Sequence, residues 1–379
     1  MSRSERLYAL DAARFMAMLL MIQGHTLDAL VSPRELDIAS FPWNIWHFLR
    51  GLTAPIFLVV SGIVHVFATH RTPEGKLPEA LVWRRLRWAL TLVGIGYLMM
   101  FPAQRLWHLG HVPPEQWTAF FRVHILQLIG VTLLGVLGLM LLTRTERQLG
   151  IAGALMGSVI VALAPATAWV DWYRLLPEPL AAYMSTDRGS LFPIVPFAAY
   201  LFLGLPLGSW LKSIPAEQRT RALRVHLPLG GLLLLSLVPF LASGFEWIVP
   251  PQANPYHANP GFILLRFGLA LLFIGAVAWL AELTPRWGPR YALFGRYALF
   301  LFVGHLVLLY GTPWFHSIAR LYPKALSLAE GGIAVLAVIA VCLGSVLFIE
   351  ALRRRFHPAW FLLRAGAVAA VVYLMLAPR

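Results

Sequence analysis

Apolar runs of membrane-spanning length follow one another along this chain, separated by short polar stretches. Eleven can be read, at approximately 7–31, 48–69, 86–103, 119–142, 149–169, 191–211, 226–243, 260–282, 292–311, 331–352 and 359–377. About 20 residues of α-helix cross a bilayer, and a helix satisfies its own backbone hydrogen bonds where no water can. The pattern predicts an all-α polytopic integral membrane helical bundle with ten or eleven transmembrane helices. It forms a single membrane-embedded domain over 1–379, and the last run decides between the two counts.

Composition agrees. Apolar residues make up 59% of the 379 and charged residues 13%, and mean hydropathy is +0.70, which excludes a soluble globular chain. The net charge of +14 would suit a nucleic-acid binder if it were concentrated on one face. Instead Lys and Arg sit in alternate loops: Arg3 and Arg6, then Arg71 to Arg87, then Arg144 and Arg147. Lys212 to Arg224, Arg286 to Arg296 and Arg353 to Arg355 continue the series. The intervening loops hold few basic residues, among them Arg34, Arg105, Arg174, Arg188, Arg320, Lys324 and Arg379. By the positive-inside rule the first set is cytoplasmic, and the N-terminus with it. The alternation of Ala-, Leu- and Arg-rich runs suggests a bacterial inner membrane. Cys342 is the only cysteine, so neither a disulfide nor a thiolate metal cluster can form within the chain. The first run carries Asp11 and Arg14 and no cleavage site follows it, so it reads as an uncleaved helix.

That run holds the most unusual polar pattern. Arg14 and His25 are eleven positions apart, which at about 100° per residue returns them to nearly one face, some 16 Å apart along the axis. Asp11 and Asp28 share the face. Ionisable groups inside a membrane helix are costly and are functional candidates by default. The orientation puts Asp11 and Arg14 near the cytoplasmic side and His25 and Asp28 near the outer side. His47, Arg50, Arg122, His124, Gln127 and Arg266 fall in the outer part of their runs, and His305 near mid-depth. Each also has a plainer reading. Arg50 and Arg122 can snorkel, His124 and His305 can be satisfied core histidines, and Gln127 can join helices.

A histidine beside carboxylates suits a general base, because its pKa lies near neutrality and a carboxylate can orient the ring. Asp28, three residues after His25, is placed to do so. No HExxH, cysteine pair or metal-spaced carboxylate cluster occurs, so no metal is expected, and no Walker or GxGxxG loop is present. Arg14, Arg84, Arg85 and Arg87 offer cations for phosphates at the inner face. These features suggest a long polyanionic donor entering from the cytoplasm, and an acyl-coenzyme A has that shape.

The Arg14–His25 spacing, the opening RLYALDAARFMAMLLMIQGH and the string PIFLVVSG resemble the transmembrane acyltransferase superfamily. That grouping holds the acyltransferase-3 and heparan-α-glucosaminide N-acetyltransferase-like proteins. VHILQLIG (123–130), SLFPIVPFAAYLFLGLPLG (190–208) and GRYALFLFVGHLVLLY (295–310) are similar to the second branch. Phe15 and Ala298 stand where the family often has Gly and Ser. The resemblance implies transfer of an acyl group, commonly acetyl, from cytoplasmic acyl-CoA to a hydroxyl or amine of an extracytoplasmic acceptor such as a glycan. It makes His25 the catalytic histidine and places Arg14 at the donor site. Asp28 would orient the ring, and Arg50, His124 or Arg266 would stabilise the oxyanion. Asp11, Arg14, Arg84, Arg85, Arg87 and His305 form the expected donor-binding set. Transfer through an acyl-histidine is the covalent variant. The rival reading is a proton-coupled transporter relaying protons through Asp11, His25, Asp28 and His305. Trp172, Tyr173, Glu246, Trp247, Tyr256 and His257 in the outer loops can contact a sugar or simply sit at the interface.

Overall fold

The computed structural model describes residues 7–377, leaving Arg3, Arg6 and Arg379 of the charge pattern outside the described residues. It is an all-α helical bundle, 77% helical. Each of the eleven apolar runs meets a helix. They are α1 (Tyr8–Leu30), the pair α2 (Trp43–Arg50) and α3 (Thr53–Phe67), α4 (Glu79–Met99), α5 (Ile125–Leu142), α6 (Glu146–Ala168) and α7 (Ile194–Ser213). Then follow α8 (Leu227–Glu246), α9 (Pro260–Leu283), α10 (Gly288–Arg296), α11 (Ala298–Tyr310), α12 (Leu328–Arg355) and α13 (His357–Leu376). Among the described residues seven helical segments are long and apolar enough to span, and an eighth is added if the bent pair α10–α11 counts as one. The polar residues that make α1 and α4 interesting also lower their hydropathy.

Two boundaries differ from the sequence pattern for identifiable reasons. The run at 119–142 is broken, because His124 is extended (φ −100°, ψ 177°) ahead of α5. The break releases the backbone of buried Val123 from the helix; its N–H donates to Ser190 Oγ and its carbonyl accepts from Leu191 and Phe192. The run at 292–311 bends by 63° between Arg296 and Ala298.

The chain folds as two compact units. The larger contains residues 1–17, 51–97 and 121–292. Its centre is the packing of α7 against α3 and α6, and of α8 against α9. Close backbone approach makes this possible. A Cβ on Gly62 of α3 would lie 2.9 Å from the Gly204 Cα of α7, so the helices cross backbone to backbone. Gly150, Gly153 and Gly157 form a stripe on α6 that receives Ser209, Leu205 and Leu203 of α7. With lipid as apolar as leucine, small residues that permit such contact supply the association energy.

The loops that the charge rule groups together touch one another. Arg71 donates to the Thr143, Gly75 and Met140 carbonyls, and Lys212 bonds to the Val66 and Thr69 carbonyls and to Glu146. At the opposite loops Arg122 Nε donates to the Arg188 carbonyl, and Trp169 donates to that of Ile248.

The smaller unit contains residues 18–50, 98–120 and 293–379. The Glu330–Ser327 capping box starts α12, and Tyr297 and Arg354 converge on Glu350. At its far end α13 presents the Leu376 carbonyl to Trp107 Nε1.

Candidate active site

Five turns of uninterrupted helix carry His25 close to the C-terminal end of α1. The ring is not satisfied locally. Its Nδ1 lies 2.9 Å from His305 Nε2, and the two imidazoles are stacked at 5.2 Å. His305 is fully buried, and its Nδ1 is 2.8 Å from the Leu301 carbonyl one turn back on α11. A carbonyl can only accept, so His305 Nδ1 carries the hydrogen. In neutral His305, Nε2 is then a lone-pair acceptor, and His25 Nδ1 must be the donor. The chain of bonds therefore leaves the lone pair of neutral His25 on Nε2. Tyr310 closes the other side, edge-on to the His25 ring at 6.2 Å, with its hydroxyl donating to the His25 carbonyl at 3.3 Å.

Asp28 does not orient His25, as the three-residue spacing had suggested. Its carboxylate forms an ion pair with Arg50 at 3.0 Å, because a full guanidinium charge attracts it as a neutral imidazole cannot. The Arg50 stem passes over Gly24, where a Cβ would meet it at 2.7 Å, and the guanidinium lies over Trp46 at 5.1 Å. Arg50 is thus fixed inside the unit rather than snorkelling. Gln23 Oε1 accepts from Trp46 Nε1. His305, grouped by sequence with the donor-binding residues, turns out to be the direct partner of His25.

The other expected residues lie in the larger unit. Arg84, Arg85 and Arg87 line a cavity of about 450 Å³ together with His65, Trp88 and Thr91. Their roles differ. Arg85 reaches the Ala68 carbonyl and Thr69 Oγ1 at 3.2 and 2.8 Å and so caps the C-terminus of α3, where a cation complements the helix dipole. Arg84 and Arg87 are exposed and share a face of α4 with Trp88. His65 lies in the apolar run VVSGIVHVF, where no motif singles it out. Its Nδ1 donates to the Ser61 carbonyl at 2.8 Å, leaving Nε2 as the acceptor. Arg14 is half-buried and lies within electrostatic range of His65. Asp11 is half-buried too and engaged in interactions of its own.

Arg266 stacks on Tyr256 at 4.7 Å and interacts with the buried Tyr200 hydroxyl. His124 Nε2 is buried without a hydrogen bond, as are both amide atoms of fully buried Gln127. Among the described residues the Gln127 amide reaches no hydrogen-bond partner on a neighbouring helix, and its side chain packs against Gly96 of α4.

Comparison with known proteins places the chain in a family without assigning roles to these residues. No curated protein and no solved structure gives a significant match. The family described as heparan-alpha-glucosaminide N-acetyltransferase, catalytic, matches residues 6–236, more than half the chain. The match takes in Arg14, His25, Asp28, Arg50 and the α4 arginines, whereas Arg266 and His305 lie beyond it. The chain belongs to the heparan-alpha-glucosaminide N-acetyltransferase catalytic family and is a multi-pass membrane protein of the acetyltransferase type.

Proposed function

We propose that this protein transfers an acetyl group from acetyl-CoA on the cytoplasmic side to a hydroxyl or amine of an extracytoplasmic glycan, with His25 as general base. The observation carrying the proposal is the His25–His305–Leu301 hydrogen-bond chain, which supplies the tautomer a base needs. His25 Nε2 takes the acceptor proton as the acceptor oxygen or nitrogen attacks the thioester carbonyl carbon. The tetrahedral intermediate collapses with cleavage of the C–S bond, and the imidazolium returns its proton to the departing CoA sulfur. His305 positions the base, since its Nε2 accepts from His25 Nδ1 in both protonation states of His25. Arg50 shares the unit with His25 and is the candidate for oxyanion stabilisation, its charge held in place by Asp28.

The cavity beside α4 suits the nucleotide end of the donor. Arg84 and Arg87 are exposed to meet phosphates where Arg85 is not, Arg87 using only its Nε, on the Trp83 carbonyl, and the Trp88 indole offers an adenine a stacking partner. Arg14 adds positive potential on the same unit.

General-base catalysis contributes about 10²–10⁴-fold. Purified His25→Ala should therefore lose that factor in transfer of radiolabelled acetyl from acetyl-CoA to envelope glycans while keeping its thermal midpoint. Wild-type turnover by this variant would overturn the assignment. The bonded histidine pair would also serve a proton-coupled transporter, and substrate movement in proteoliposomes without acetyl-CoA consumption would decide for that reading.

A further inference from the structure

The larger unit has a second cavity, of about 370 Å³, walled by the end of α6, the loop before α7 and the segment 252–258. Its walls are fixed independently of any ligand. Trp169 Nε1 donates to the Ile248 carbonyl at 2.7 Å, Trp172 Nε1 to that of Thr167 at 3.0 Å, and Ile194 N to that of Tyr183 at 2.8 Å. A preformed pocket avoids the ordering cost of binding.

The groups left over in this cavity share a chemistry. Asp187 uses its backbone N–H on Ser185, and its carboxylate makes no ion pair or hydrogen bond among the described residues. Asn254 spends Oδ1 on Tyr256 N, leaving its amide N–H₂ to donate. The Gln252 amide and the Thr186 hydroxyl make no hydrogen bond among the described residues. The His257 ring makes no hydrogen bond among the described residues and meets Phe197 edge-to-face at 5.1 Å, so it offers one donor and one acceptor nitrogen. Closely set donors and acceptors beside an indole match vicinal hydroxyls, each of which both gives and accepts a hydrogen bond. The two arginines beside the acidic residues are ion-paired, and Arg266, within electrostatic range of His257, is turned onto the Tyr256 ring. Arg174 pairs with Asp171 at 2.9 Å, and Arg188 pairs with Glu178 at 3.2 Å and stacks on Tyr173.

We infer that this cavity is a saccharide subsite selective for a neutral sugar ring, with Asp187, Gln252, Asn254 and His257 hydrogen-bonding its hydroxyls and Trp172 flanking it. An acidic sugar is disfavoured because it would face the uncompensated Asp187 carboxylate. The subsite does not depend on the assignment of His25. Its occupant is held by groups that take no part in acyl transfer, in the manner of a residue along a chain rather than the reacting one.

Saturation-transfer NMR on the whole protein in nanodiscs tests this, with cellobiose and N-acetylglucosamine as probes and glucuronate as the acidic comparator. Neutral sugars should bind, glucuronate should bind about tenfold more weakly or not at all, and Asp187→Asn should relax that discrimination. His257→Gln and Gln252→Ala should each weaken neutral-sugar binding by up to about tenfold, the loss of roughly one hydrogen bond to a polar ligand. Thermal midpoints confirm that the variants are folded, and Gln252, exposed at the rim, can be replaced without touching the packing. Absence of neutral-sugar binding, equal binding of glucuronate, or binding unchanged in both Gln252→Ala and His257→Gln would each overturn the inference.

Discussion

Replacing His305 isolates the hydrogen-bond chain from the base itself. In His305→Phe a ring of similar size fills the site, but His25 Nδ1–H loses its acceptor. A buried donor left unsatisfied costs about 1–3 kcal/mol. The imidazole can escape that cost by moving its hydrogen to Nε2 or by rotating, and either removes the lone pair from the position that faces substrate. Turnover should fall by the greater part of the general-base contribution, about 10²–10³-fold. The KM for acetyl-CoA should stay near the wild-type value, because His305 binds no part of the donor in this scheme. In His305→Gln the amide oxygen can reach the place of Nε2 and accept from His25, so about a tenth or more of wild-type turnover should return. The assay is steady-state acetyl transfer by purified protein, with kcat and donor KM measured separately. A His305→Phe enzyme with wild-type kcat, or one whose only change is a raised donor KM, would refute the tautomer argument and return His305 to the donor-binding set.

Other consequences are more local. Arg84→Ala and Arg87→Ala should each raise the KM for acetyl-CoA by about tenfold, the loss of one charge-assisted contact, with kcat at saturating donor retained; Arg85→Ala should instead lower the thermal midpoint, since it uncaps α3. Gly62→Val should destabilise by about 1–3 kcal/mol or prevent folding, because the new side chain collides with the Gly204 backbone; detergent thermal unfolding reads the difference. Burial first, and Arg266 second, lower the His257 pKa from 6.5 to about 4. The unfolded chain therefore takes up this proton before the folded one as pH falls. The stability tied to neutral His257 is complete above pH 6.5 and is lost on descending from 6.5 to about 4, so His257→Phe should flatten the fall in thermal midpoint over that interval.

Much of this molecule is written in one dimension. The run lengths and their separation are enough to predict an all-α membrane bundle, because length and apolarity are the properties a bilayer tests. Charge alternation sorts the loops into two sets, and the contacts of Arg71, Lys212 and Arg122 respect that sorting. The Arg14–His25 spacing singles out α1, because a helix converts residue number into angle and depth without help from the rest of the chain. The glycines of α6 and α7 are legible as small residues, though not as the partners they turn out to be.

What only the tertiary structure decides is which polar group meets which. Asp28 lies nearest His25 in sequence, yet it pairs with Arg50, and the partner of His25 comes from 280 residues away. Arg84, Arg85 and Arg87 look alike in the sequence and all line one cavity, but only Arg85 is spent on capping a helix. Hydrogen bonds and ion pairs form across space between groups whose competition for partners depends on every helix around them. A helix has only to satisfy itself, so its own residues suffice to announce it, whereas the site needs a second helix to choose which nitrogen of His25 holds the proton.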